Sequence, residues 1–196
     1  MNTALPIATR GHLLIVSAPS GAGKTSLVKA LLDEPDLNLR LSVSTTTRAP
    51  RPGECNGREY HFTSPEDFSK RQQAGEFLEW AQVHGNHYGT SARTVADAMA
   101  QGHRVILEID WQGAQQVRGL FSAHQRTSIF ILPPSIDELR RRLEARGQDL
   151  PEVIAARLAA AEEECSHAEE FDHVIMNQHF SETLAALRRI ISATAC

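Results

Sequence analysis

Eight residues, Ala18-Pro19-Ser20-Gly21-Ala22-Gly23-Lys24-Thr25, are of the types and in the order that hold a chain of phosphates. Glycines let backbone N–H groups turn inward around an anion, and a helix starting there adds its positive N-terminal dipole. Lys24 can reach the outer phosphates, and the Thr25 hydroxyl is of the type that ligates Mg²⁺ beside them. The pattern usually starts with glycine, and here that place is taken by Ala18, which does not adopt positive φ freely.

A second set of residues suits another phosphate. Arg48 and Arg51 stand three apart in Thr47-Arg48-Ala49-Pro50-Arg51-Pro52-Gly53-Glu54. Proline stiffens such a loop, and guanidinium grips phosphate oxygens in a two-pronged geometry that lysine cannot copy. Tyr60, Tyr88 and Glu79 lie downstream. In Phe77-Leu78-Glu79-Trp80-Ala81, period-two alternation puts Glu79 on the face of Phe77 and Ala81. A carboxylate there is either an outward edge residue or an acceptor for two ligand N–H groups. Guanine offers such a pair, its ring N1–H and exocyclic amine, whereas adenine presents an acceptor at N1.

The elements that must position these groups follow from the apolar pattern. Strands are expected near 13–17, 104–109, 128–132 and 173–176, alternating with helices near 24–33, 113–120, 135–146, 152–168 and 182–193. Such alternation builds an α/β fold, a parallel sheet covered by helices on both faces. Ser135 with Glu138 forms a capping box, Gly147 stops that helix, and Ser181 is expected to start the last one, with Leu184, Leu187 and Ile191 facing the core. Residues 40–90 break the pattern: Thr, Pro, Gly and aromatics surround strand-like pieces at 41–45, 59–62 and 77–83, and Ser64-Pro65 opens a helix. This predicts a small, mainly β insertion leaning over the phosphate loop.

Composition bounds the rest. A chain of 196 residues, 41% hydrophobic, can bury one domain. With 20 basic and 24 acidic residues the net charge is −4, which argues against a general nucleic-acid or anionic-membrane surface. No apolar run approaches a membrane span, and Met1–Arg10 lacks the apolar core of a secretory signal. Cys55, Cys165 and Cys196 form no CxxC pair and fit a reducing cytoplasm. His84 and His87, in a Gly-Asn loop without nearby cysteine, are read as surface or packing residues in preference to zinc ligands.

Taken in order, the motifs resemble the guanylate kinase family over about residues 12–193. They are Ser17 to Thr25, Ser42-Val43-Ser44-Thr45-Thr46-Thr47-Arg48, Arg51-Pro52-Gly53-Glu54, Gly85-Asn86-His87-Tyr88-Gly89-Thr90, Ile109-Asp110-Trp111-Gln112-Gly113 and Pro133-Pro134-Ser135 with the arginines after it. The resemblance implies transfer of the ATP γ-phosphoryl group to GMP, with Mg²⁺ accompanying ATP, in cytoplasmic purine nucleotide metabolism. It implies small-molecule partners, neither nucleic acid nor membrane, and leaves self-association open. Carried over by position, Arg48, Arg51, Tyr60 and Tyr88 clamp the GMP phosphate, Ser44, Glu79 and Thr90 contact guanine, and Glu54 supports the arginine loop. Glu108 and Asp110 complete the acceptor side, though relatives often carry Asp at the place of Glu108 and Ser at that of Thr90. Residues Ala18 to Thr25 hold ATP. Of the family's Asn-Asp-Asp, only Asn177 survives in Asn177-Gln178-His179, as an adenine-side contact. Lys24, Arg48, Arg142, Arg146 and Arg157 serve catalysis, the last three from a helical lid. Arg142 and Arg146 are four apart, so their like charges on one face call for an anion between them.

The implied layout is one domain over 1–196, with its core at about 11–38, 98–134 and 165–196, an acceptor lobe at about 39–97 and a lid at about 135–164. Three other functions compete: a scaffold module with a degenerate nucleotide site, a kinase of another mononucleotide, and a simple ATPase. Retention of Lys24, Thr25, Arg48, Arg51 and Glu79 counts against the first, Glu79 with Ser44 against the second, and the inserted lobe against the third.

Overall fold

The computed structural model describes residues 10–147 and 150–194. Its first half comprises β1 (His12–Ser17), α1 (Lys24–Leu32), β2 (Leu39–Leu41), β3 (Thr45–Thr46), β4 (His61–Phe62), α2 (Pro65–Gln73), β5 (Phe77–Val83), β6 (Asn86–Ser91) and α3 (Ala92–Ala100). The second half comprises β7 (Arg104–Glu108), α4 (Trp111–Leu120), β8 (Arg126–Leu132), α5 (Ile136–Arg146), α6 (Pro151–Ser166), β9 (His173–Met176) and α7 (Phe180–Ala193).

All six residues of β1 are buried because the strand lies in the middle of a five-stranded parallel sheet, ordered β2-β7-β1-β8-β9. On one face Leu13 and Ile15 pack with Val95 and Met99 of α3 and Ala114 and Val117 of α4. On the other, Leu14 and Val16 pack with Leu27, Val28 and Leu31 of α1 and Leu187 and Ile191 of α7. Burial on both faces is why the strand reads as an unbroken apolar run. A third cluster joins Leu139 and Leu143 of α5 to Ile154, Leu158 and Ala161 of α6.

The insertion forms a second sheet, ordered β4-β3-β6-β5, with β6 antiparallel to both its neighbours. Where one strand was expected over 41–45 there are two: β2 pairs with β7 in the parallel sheet, and β3 begins the small sheet. The parallel sheet therefore takes in residues 39–41, which the expected layout gave to the insertion. β6 and α3 were not anticipated. The sequence of β6, Asn-His-Tyr-Gly-Thr-Ser, reads as a turn, whereas α3 does carry a helical period, with Val95 and Met99 four apart on its buried face. α7 starts at Phe180 with His179 as its N-cap, one residue before Ser181.

A bulge corrects the expected face of Glu79. Phe77 pairs with Ser91 and Glu79 with Thr90, so Leu78 is an extra residue on β5. Phe77 stacks on Phe68 at 4.6 Å between ring centroids, whereas Glu79 turns toward α4. The small sheet is tied to α4 at this strand, because the Gln116 side chain accepts from Trp80 N–H at 3.2 Å and donates to Trp80 O at 2.7 Å.

Candidate active site

The phosphate loop leaves the carboxyl end of the central strand and enters α1 at Gly23, where φ is +98°. A side chain there would also collide with Asn177, whose Nδ2 lies 2.5 Å from an added Cβ. Ala18 in place of glycine carries no strain: among the described non-glycine residues only Asn38 and His84 have positive φ. The methyl group instead joins the apolar cluster beneath the loop.

Strand register sets what flanks the loop. Val16 pairs with Glu108, so the end of β7 lies beside it. The Lys24 ammonium donates to Ile109 O at 3.1 Å, and the Thr25 hydroxyl donates to the Glu108 carboxylate. The longer side chain of Glu108 thus still reaches the loop's hydroxyl. Hydroxyl and carboxylate are hard oxygen donors of the kind Mg²⁺ prefers, completed by phosphate oxygens. Among the described residues no three His, Cys, Asp or Glu gather as a metal cluster, so a cation here would depend on those phosphates. On the other flank, Asn177 follows β9 and donates its amide to Ala22 O at 2.7 Å. It is buried under the loop as a strut.

The small sheet brings together the second set. Arg48 donates to both carboxylate oxygens of Glu54 at 2.9 Å, and the same carboxylate accepts Arg51 N–H at 2.7 Å. The Arg48 guanidinium stands 5.4 Å from the Tyr60 ring centroid. Burial alone would lower its pKa, but Glu54 and Tyr88 outweigh that and raise it. Tyr60 meets Tyr88 edge to face at 5.8 Å, and burial pushes its phenol up to about 12. A cavity of about 20 Å³ separates Ser42, Ser44, Tyr60 and Glu108, so the acceptor-side residues line the gap between the small sheet and β7.

Glu79 is 3% exposed. One oxygen accepts the Thr90 hydroxyl at 2.5 Å, while the other packs on Gly113 of α4, where an added Cβ would come within 2.3 Å. Burial pushes its carboxyl up to about 7; Asp110 adds to the rise, and the Thr90 bond and Lys24 oppose it. Asp110 caps α4, accepting Gly113 N–H at 2.9 Å. His87 packs its ring on Phe68, 5.4 Å between centroids.

The arginines of α5 and α6 divide. Arg142 pairs with Glu138 at 2.8 Å and donates to Asn177 O at 3.1 Å. Its charge is met in part within its own helix, by the Glu138 carboxylate four residues back. Arg157 donates to Ser20 Oγ at 3.0 Å. The side chain of Arg146 lies outside the described residues, as do residues 1–9 and Cys196. Leu139 and Leu143 cover Gly21, so the α5–α6 pair rests directly on the loop. Glu164, passed over in the run Ala-Glu-Glu-Glu, is held in a poorly solvated place on α6, where burial pushes its carboxyl up to about 7. Its spacing from Arg157, seven residues along the helix, puts the two on one face and is the signal that could have found it.

Comparisons with known proteins converge on this geometry. The family model described as Guanylate kinase matches residues 10–194. The guanylate kinase of Cupriavidus metallidurans is 55% identical over 98% of this chain and 88% of its own length. That of Bordetella pertussis is 56% identical over 95% of this chain and 85% of its own. The crystal structure of guanylate kinase from Anaplasma phagocytophilum aligns with a TM-score of 0.80 at 36% identity, covering 95% of this chain and 87% of that one. With the phosphate loop, the arginine–tyrosine pocket and the buried Glu79 in one fold, the chain belongs to the guanylate kinase family.

Proposed function

We propose that this chain, an ATP:GMP phosphotransferase, moves the γ-phosphoryl group of ATP to GMP at the junction of phosphate loop and small sheet, and that it does so in cytoplasmic purine nucleotide metabolism. The observation that carries this is geometric: Glu108, which accepts the Thr25 hydroxyl of the phosphate loop, also lines the gap with Ser44 and Tyr60 of the acceptor side. A base-reading group and a phosphate-gripping group therefore share one cleft. Among the described residues no helix is long and apolar enough to cross a membrane.

Phosphoryl transfer asks for alignment and charge neutralisation and needs little covalent chemistry from the protein. Arg48, Arg51, Tyr60 and Tyr88 clamp the acceptor phosphate, with Glu54 holding the arginine loop in shape. Glu79 accepts the guanine N1–H and amine, assisted by Ser44 and Thr90, with Asp110 beside it. Residues Ala18 to Thr25 cradle the triphosphate, Asn177 keeps that cradle's shape, and Lys24, Arg142, Arg146 and Arg157 answer its charge. Thr25 and Glu108 would hold Mg²⁺, which when bound adds positive charge to the phosphates. Closure of α5 and α6 excludes the water that would otherwise take the phosphoryl group.

The deciding experiment supplies ATP and Mg²⁺ with GMP, dGMP, AMP, CMP or UMP and follows ADP. Rapid ADP release is expected with GMP and not with AMP. Equal rates with AMP, or none with GMP, would sink the assignment.

A further inference from the structure

Trp111 and His167 stack face to face, 3.6 Å between ring centroids and 7° from parallel. The phosphoryl transfer described above gives neither of them a part. His167 is the C-cap of α6, and Trp111 is the first residue of α4. A second contact joins the same two elements. His167 Nδ1 meets Glu170 Oε1 at 2.5 Å, and the other oxygen of Glu170 accepts from Arg118 of α4 at 2.5 Å. Trp111 and Arg118 are seven apart, so they share a face of α4. The Glu170 pair is partly exposed and worth little by itself, so the flat contact of the two rings carries most of the attachment.

Each side of that attachment leads to one substrate. On the α4 side, Trp111 directly follows Asp110, whose carboxylate accepts Gly113 N–H at 2.9 Å and the Gln112 amide at 3.1 Å. Glu79 packs so closely on Gly113 that no Cβ would fit between them. The turn that backs Glu79 is therefore the turn that carries Trp111. On the α6 side, Arg157 donates to Ser20 Oγ of the phosphate loop at 3.0 Å. Helix α6 is continuous from Pro151 to Ser166, a rod between that loop and the ring stack. Close-packed contacts of this kind transmit a displacement instead of absorbing it.

We propose that His167 is a positioning residue that ties acceptor recognition to donor grip: its stack on Trp111 seats the end of α6 on the α4 turn behind Glu79, so that GMP bound there orders Arg157 at the phosphate loop. This rests on the roles proposed above for Glu79 and Arg157, and the test separates them.

Calorimetric titration of a non-hydrolysable ATP analogue with Mg²⁺, with and without saturating GMP, reads the coupling directly. In wild type GMP should tighten the analogue by about tenfold, and by linkage the analogue should tighten GMP equally. In His167→Ala each ligand alone should bind nearly as in wild type, while that tenfold gain largely disappears. KM for GMP at saturating ATP should rise correspondingly. His167→Phe keeps a flat ring on Trp111 and should restore most of the coupling. Arg157→Ala should abolish it as His167→Ala does.

Wild-type protein that binds both ligands without coupling overturns the proposal, with no variant needed. So does coupling that survives in His167→Ala or Arg157→Ala, or a Phe variant no better than Ala. Loss of each ligand's separate affinity in His167→Ala would make the stack a general support of the fold and overturn it too. Wild-type protein that takes up no GMP at all would instead sink the acceptor assignment on which the proposal rests.

Discussion

The side-chain amide of Asn177 and the carbonyl of Ala22, 155 positions apart in the chain, meet at 2.7 Å and fix the inner wall of the phosphate loop. Removing the amide leaves a buried carbonyl short of a donor, which costs about 1–3 kcal/mol. Asn177→Ala should therefore lose roughly that much stability in urea unfolding. KM for ATP should rise while KM for GMP stays put. A variant with both constants unchanged would contradict the strut role.

Lys24 places its ammonium on Ile109 O, at the junction of donor and acceptor sides. Lys24→Ala should lower kcat by about 10²- to 10³-fold, the scale seen when one preorganised group facing developing charge is removed. Single-turnover quench measurements would isolate the chemical step. Undiminished chemistry there would remove Lys24 from the catalytic set.

For Glu79 the sign can be worked out. Its folded pKa of about 7 lies above the ordinary carboxyl value of 4.5, so the stability linked to its proton is fully present below 4.5 and lost as pH rises through 7. The shift corresponds to about 3 kcal/mol. Glu79→Gln should consequently be more stable than wild type at pH 8 and nearly equal at pH 4. It should also lose preference for GMP over AMP. In wild type, KM for GMP should rise as pH falls below 7, because a protonated carboxyl loses an acceptor. The Gln variant, which keeps the titration of the GMP phosphate itself, provides the control. Parallel pH profiles in the two proteins would refute the base-reading role.

Glu54 presents both oxygens to Arg48 and one of them to Arg51 N–H. Glu54→Gln weakens a charge-assisted pair worth about 1.5–3 kcal/mol, so KM for GMP should increase by roughly an order of magnitude. KM for ATP should hardly move. Equal effects on the two substrates would point to general unfolding of the insertion.

The parallel core was legible in the sequence because its strands are buried on both faces and its helices carry long apolar stripes. The phosphate loop was legible because few other arrangements use that order of glycines with Lys24 and Thr25. Other features stayed hidden for identifiable reasons. The bulge at Leu78 cancels the alternation that strand patterns depend on, so the face of Glu79 could not follow from spacing. The bond of Asn177 to the loop follows only from the strand order that puts it there. Arg142 carries its counter-ion four residues back, and a search for like-charge pairs overlooks Glu138. Glu164 sits in a stretch that looks like an ordinary solvated helix surface.

The two hydrogen bonds between Gln116 and Trp80 also bear on solubility. β5 is the last strand of its sheet, and an unguarded border of that kind recruits stray chains. By filling both main-chain groups of Trp80, a single glutamine from α4 replaces the neighbouring strand that is missing there and blocks that point of growth.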